Sequence, residues 1–123
     1  MARVSARVDM DVGNNATWAD SFQYDDEDDT SWTLVDQSFL MEVKRSRYDA
    51  DPLFTLSTDN GRIVIQDDVL RIISLNADNT DFITVLPVGE YVYDIVMIDD
   101  NDATRVQLQH GKVNIIQGVT GET

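Results

Sequence analysis

The stretch Gly89–Asp99 constrains the fold more than any other part of this chain, because its side chains alternate strictly along the backbone. One face of the alternation carries large apolar or aromatic groups: Tyr91, Tyr93, Ile95 and Met97. The other face carries apolar groups beside Asp94: Val92, Val96 and Ile98. A period of two that is rich in β-branched and aromatic residues predicts a β-strand. Apolar groups on both faces predict a central strand of a sheet rather than an edge strand.

Shorter segments show the same β-type pattern, at residues 4–8, 18–24, 39–43, 53–56, 63–65, 69–73 and 103–116. Polar turn sequences separate several of them. Asp59–Arg62 contains an Asn-Gly pair, and Asp99–Asp102 predicts a hairpin between the last two strands. About eight short strands with frequent turns predict an all-β fold, an antiparallel immunoglobulin-like sandwich.

One segment alone shows helical spacing, with Phe82, Val85 and Leu86 on one side. Asp78 or Asn79 is suited to begin it and Pro87 to end it, which predicts one short helical turn near residues 77–86.

The last strand contains a change of phase. Val106 and Leu108 share one parity, whereas Val113 and Ile115 share the other. One extra residue at His110–Gly111 would return both pairs to one face, which predicts a β-bulge there. The alternative is a strand that changes sheets at this point.

The length of 123 residues fits one domain, so residues 1–123 are predicted to form a single sandwich. We expect a loose C-terminus over residues 119–123 and an extended N-terminal arm over residues 1–11. The alternation in this arm has no nearby turn to return it to its own chain. We therefore expect it to pair with the sheet edge of a neighbouring molecule, and its deletion to leave the fold intact.

The charge balance excludes several classes of partner. The chain has 23 acidic and 9 basic residues, a formal net charge of −14. Such a surface repels phosphate groups, which argues against nucleic-acid binding and against docking to anionic membranes. There are no cysteines, so disulfides and thiolate chemistry are excluded. No signal-like apolar stretch follows the first residues, and we expect synthesis in the cytoplasm.

Two charged clusters are the candidate contact sites. One is acidic: Asp25, Asp26, Glu27, Asp28 and Asp29. The other is basic: Lys44, Arg45 and Arg47. The acidic run lacks the glycine and glutamate positions of an EF-hand loop, which favours a solvated loop over a weak cation site. The basic cluster is interpreted as a solvated strand end or as a docking patch for an acidic neighbour, such as the acidic run of an identical subunit.

Catalytic chemistry has little support in the sequence. His110 is the only histidine, and no Gly-x-Ser-x-Gly element is present. The aromatic residues that might be taken for a sugar-binding platform alternate along strands, which favours a place in the core: Trp18, Trp32, Tyr91 and Tyr93. We predict no enzyme activity, no cofactor, no metal and no small-molecule substrate.

Four strings of the sequence, taken together, point to one protein family. Leu53–Ile63 places Asn-Gly-Arg-Ile between two strands, and in Leu86–Ile95 a proline–glycine turn precedes a Tyr-x-Tyr-Asp strand. The others are Gly111–Ile115 near the end, and Trp32–Leu34 before a strand that ends in basic residues. These strings resemble small structural proteins of tailed bacteriophages, which are similar to the N-terminal sandwich domain of siphophage baseplate upper proteins. The acidic run departs from the usual turn of that family between the second and third strands.

The resemblance implies an immunoglobulin-like component of the virion that docks onto a ring or shell, and it supplies no catalytic residues. We therefore expect a non-enzymatic structural protein of the phage particle, in the tail, collar or fibre-attachment region. Its expected partners are other virion proteins and identical copies in a symmetric assembly. The alternatives are a capsid decoration protein and a carbohydrate- or cation-binding module.

Overall fold

The computed structural model describes residues 6–24 and 32–119. Nine strands and one helical turn follow in chain order: β1 (Ala6–Arg7), β2 (Met10–Gly13), β3 (Ser21–Gln23), β4 (Gln37–Lys44), β5 (Phe54–Ser57), β6 (Ile63–Asp67), β7 (Ile72–Leu75), α1 (Asn79–Phe82), β8 (Gly89–Asp99) and β9 (Arg105–Ile116). The strand predicted at 89–99 has the bounds of β8, and α1 lies within the predicted helical segment.

Two sheets pack face to face around one core, which confirms the predicted all-β sandwich. The larger sheet has the order β1–β9–β8–β4–β5, with β2 also pairing with β9. The smaller sheet has the order β3–β7–β6. As expected, β8 lies in the middle of its sheet. All pairs are antiparallel except those of β1 and β2, which run parallel to β9.

Alternation along the long strands fills the space between the sheets. In β4 and β8 every second side chain is buried, among them Met41 and Tyr91, which are both fully covered. An aromatic group forms one end of the core, where Trp18 stacks on Phe54 at 6.4 Å and meets Phe82 edge-on at 5.9 Å between ring centroids. These ring contacts pack Phe82 of α1 against Phe54 of β5 and against Trp18, which precedes β3.

The N-terminal strands correct one prediction. β1 and β2 pair with β9 of the same chain, and the backbone N–H of Val8 donates to the carbonyl of His110 at 2.8 Å. Met10 and Val12 are buried in the core. The expectation that this segment pairs with a neighbour's sheet is wrong for residues 6–13. The reason is that a parallel strand reaches its partner without a local turn, so no turn signal marks it.

The predicted bulge exists, but its position differs. The β8–β9 register shifts between Ile95, which faces Gln109, and Val96, which faces Gln107, so Leu108 is the extra residue. Leu108 and Gln109 are consequently both buried. Gly111 is not part of the bulge. It permits the close approach of Val8, because a Cβ at position 111 would collide with the Val8 carbonyl.

The Asn-Gly turn is confirmed, with Gly61 at a φ of 79°, but it is not a hairpin. It carries the chain from β5 in the larger sheet to β6 in the smaller one. The side chain of Asn60 accepts from the N–H of Ser57 and donates to the carbonyl of Thr55, both at 3.0 Å. Asn60 thereby covers part of the open edge of β5.

Candidate functional site

An open groove of about 530 Å³ lies on the outer face of the larger sheet. It is formed by outward-facing side chains of β4, β8 and β9, together with Arg7 from β1 and Arg47 from the segment after β4. Four of the nine basic residues of the chain line it: Arg7, Lys44, Arg47 and Lys112. Two carboxylates, those of Glu42 and Asp94, also line it. The groove is therefore a locally cationic surface on a strongly acidic protein.

Strand register explains how residues distant in sequence meet here. Glu42 of β4 faces Asp94 of β8, Asp94 faces His110 of β9, and His110 faces Arg7 of β1. These side chains form one row across four strands. Glu42 and Asp94 lie directly opposite each other, and like charges in that position repel. Asp94 is held by Gln107, whose Nε2 donates to its carboxylate at 3.0 Å.

The neighbouring row carries the lysines. Lys44 of β4 faces Val92 of β8, and Val92 faces Lys112 of β9, so an apolar side chain separates the two cations. An anionic segment that crosses the sheet along this row would place its charges near the two lysines and its apolar atoms over Val92.

The groove cations have only surface partners within the described chain. Lys44 lies 3.8 Å from Glu42 and Lys112 lies 3.2 Å from Glu90, measured from nitrogen to oxygen. Arg7 lies 3.5 Å from Asp9, and both side chains are at least half exposed. The pairs of Lys112 and Arg7 are exposed, and such pairs contribute little to stability, so these two cations can exchange partners. Lys44 and Glu42 are more covered, with side chains 22% and 36% exposed.

Asp9 ties β9 to the segment between β1 and β2. Its carboxylate accepts from the backbone N–H of Lys112 at 2.9 Å. This hydrogen bond, with a contribution from Arg7, lowers the pKa of Asp9 below its ordinary value. Asp9 thus stays charged beside the backbone of Lys112.

The predicted basic cluster is split by the fold. Lys44 and Arg47 line the groove, whereas the guanidinium of Arg45 lies over the ring of Tyr91, 5.1 Å from its centroid. Sequence reasoning missed Arg7 and Lys112. Both stand at outward positions of strands, but only the pairing of β1 and β8 with β9 brings them beside Lys44.

The acidic run Asp25–Asp29 lies outside the described residues, as do residues 1–5 and 120–123. The residues on either side of residues 25–31 are described, and one buried arginine joins them. Arg71 Nε donates to the carbonyl of Tyr24 at 2.7 Å, and its Nη1 donates to the carbonyl of Trp32 at 3.2 Å. Arg71 adopts a φ of 60° just before β7. Arg71 therefore holds the two described residues that flank the acidic run, Tyr24 and Trp32, close to each other.

The aromatic residues considered for sugar binding are mostly in the core, as the alternation predicted. Trp18, Tyr91 and Tyr93 are at most 5% exposed, and Trp32 is half-buried with Arg71 over its ring. Within residues 6–24 and 32–119, no three His, Asp or Glu side chains come together in a way that could hold a metal ion. No helix in the described part of the chain is long and apolar enough to cross a membrane.

A buried hydrogen-bond chain connects the two sheets beneath the groove. The Tyr24 hydroxyl donates to Gln109 Oε1 at 3.0 Å, Gln109 Nε2 donates to the Tyr93 hydroxyl at 2.8 Å, and that hydroxyl donates to the carbonyl of Val8 at 2.6 Å. Burial raises the pKa of Tyr93 to about 12 and that of Tyr24 further. Both phenols therefore stay neutral donors at physiological pH.

Comparison with known proteins returns no match, either among protein-family models or among curated proteins. Function is therefore inferred from the fold, the groove and the sequence strings.

Proposed function

We propose that this protein is a non-enzymatic structural component of a tailed-bacteriophage particle. It docks in the tail, collar or fibre-attachment region through protein–protein contacts. Three features support the proposal: the phage-like sequence strings, the details of the sandwich, and the cationic groove. The groove is the main support for docking, because it is open, charged and built from five separate parts of the chain.

The details of the sandwich support an immunoglobulin-like class. Such domains place strands B, E and D in one sheet and G, F and C, with C′ in the variable type, in the other. The orders β3–β7–β6 and β9–β8–β4–β5 correspond to these sets. The hydroxyl of Tyr91, near the start of β8, donates to the carbonyl of Pro87 at 2.6 Å, which matches the tyrosine corner of that fold.

The hydrogen-bond chain that links the two sheets supports the same class. Immunoglobulin domains of antibodies join strands B and F by a disulfide, whose second cysteine lies two residues after the corner tyrosine. Tyr93 occupies that position here, and Gln109 links it to Tyr24 at the end of β3. Hydrogen bonds thus take the place of the covalent bond in a chain that has no cysteine.

The groove supports docking. Most of its residues lie on strands paired over long stretches, so their backbone positions are set by the fold without a ligand. Surfaces of this kind recognise partners by charge and shape at low cost in conformational entropy. A cationic strip on a chain of net charge −14 favours an acidic protein partner over a phosphate polymer, which the rest of the surface repels.

Quantitative mass spectrometry of purified phage particles from the genome that encodes this chain tests the proposal. We expect a few to a few tens of copies per portal ring, as for components that follow the symmetry of the tail. A count of hundreds would indicate capsid decoration instead. Absence of the chain from particles would overturn the proposal.

A further inference from the structure

We propose that the groove of one copy binds the acidic run Asp25–Asp29 of a second copy. This inference rests on the proposed function, since it names the partner of the docking groove. It follows from charge complementarity. Five consecutive carboxylates form the densest negative charge of the sequence, and the groove gathers four of the nine basic residues.

Of the four other cations in the described chain, three contact groups of the fold: Arg45, Arg62 and Arg71. Arg71 binds the carbonyls of Tyr24 and Trp32 from a buried position. Arg62 lies over Phe54 and donates to the carbonyl of Thr55 at 3.0 Å. Arg45 covers Tyr91. The groove is therefore the one described surface where several cations converge with side chains that remain open to a partner.

The arrangement of charges suits an extended acidic segment. Lys44 and Lys112 lie in one row on either side of Val92, while Arg7 ends the next row and Arg47 also lines the groove. The carboxylates of Glu42 and Asp94 occupy the middle of that next row and repel an anion placed over them. The favourable path for a carboxylate-rich chain therefore follows the lysine row rather than the row of Glu42.

The anchoring of the acidic run favours a second copy over the same chain. Residues 25–31 are bounded by Tyr24 and Trp32, which Arg71 holds together. With both ends held close together, the eight Cα–Cα steps from Tyr24 to Trp32 extend at most about 14 Å from their anchor. The groove opens on the far face of the other sheet, and packed sheets are about 10 Å apart before the path around the edge is added. The run of a second copy has no such limit.

The proposed contact joins two different surfaces, the groove of one copy and the acidic run of the next. Contacts of this heterologous type produce closed rings or open chains rather than two-fold dimers. A ring is the form that a component docked around a phage tail would need.

Sedimentation velocity of the purified protein tests the inference. We expect concentration-dependent association at about 0.1 M salt, where repulsion between whole molecules is screened, and dissociation at about 1 M salt. Lys112→Glu is expected to weaken association by at least about tenfold, whereas the control Arg105→Glu makes the same charge change on the same strand outside the groove and is expected to have little effect. A wild-type protein that stays monomeric at about 0.1 M salt overturns the inference, as does equal weakening by both variants.

A charge exchange makes the test specific. One variant carries Lys44→Glu with Lys112→Glu, and the other carries Asp26→Lys with Asp28→Lys. Each variant alone is expected to be monomeric, and their mixture is expected to associate, because each then offers the charge that the other needs. Circular dichroism establishes that both are folded. Two folded variants that stay separate in the mixture contradict the pairing.

The two proposals fail separately. Copies in particles without self-association of the purified chain would refute the pairing alone. Self-association by this charge pattern without incorporation into particles would refute the virion function alone.

Discussion

At the scale of single residues, the hydroxyl of Tyr93 connects three segments of the chain. It donates to the carbonyl of Val8 and accepts from Gln109, which is 1% exposed. Tyr93→Phe removes both bonds and leaves the buried amide of Gln109 without its acceptor. We expect the free energy of unfolding to fall by about 1–3 kcal/mol in urea denaturation. Tyr48→Phe is the matched control, because Tyr48 is 86% exposed. Equal stability of the two variants would contradict this role.

The same residue predicts an alkaline limit of stability. In the folded protein burial raises the pKa of Tyr93 to about 12, from an ordinary value of 10.0. Above pH 10 the unfolded chain loses this proton while the folded chain keeps it, so stability falls with rising pH. The contribution is fully present below pH 10 and disappears as the pH passes 12. We expect urea midpoints to decrease across this window, and the decrease to be smaller, though not zero, in Tyr93→Phe because Tyr24 behaves similarly.

At the scale of elements, Gly111 permits the close approach of the N-terminal strands to β9. A Cβ at this position would overlap the carbonyl of Val8 and lie 2.8 Å from Asp9 Oδ1. Glycine to alanine within a strand ordinarily stabilises, so a loss of stability would report this contact. We expect Gly111→Ala to cost about 1–3 kcal/mol. Hydrogen exchange should show loss of protection concentrated in β1 and β2.

The control for this variant is Arg105→Ala, at an exposed position on the same strand. It is expected to change stability by less than about 0.5 kcal/mol. If Gly111→Ala is as stable as this control, or if its loss of protection is uniform over the sheet, the close approach does not matter to the N-terminal strands.

At the scale of the whole molecule, the N-terminal segment completes the larger sheet. Deletion of residues 1–11 removes β1, the bonds of Val8 and the buried side chain of Met10. We therefore expect the truncated protein to lose more than about 3 kcal/mol of stability, which reverses the expectation from the sequence that the fold would survive intact. Thermal unfolding with near-ultraviolet circular dichroism measures this. A truncated protein with the wild-type melting temperature would show that β1 and the start of β2 contribute nothing.

Local patterns in the sequence suffice to predict the all-β class, the bounds of β8, the short helical turn and the sites of two turns. These features depend on local periodicity and on the backbone preferences of residues such as Gly61, so neighbouring residues suffice to encode them. The burial of Trp18 and Tyr91 also followed from alternation alone.

The pairing of strands depends instead on contacts between distant parts of the chain. The residues of a turn do not distinguish one that closes a hairpin from one that crosses between sheets, as Asn60–Gly61 does. Likewise, no local pattern shows that β1 and β2 pair with β9 in parallel. The bulge at Leu108 depends on the register against β8 rather than on the glycine nearby. The groove has the same origin. Arg7, Lys44 and Lys112 are far apart in the chain and meet because hydrogen-bonded strands set their register, and register is a non-local property that no short stretch of sequence contains.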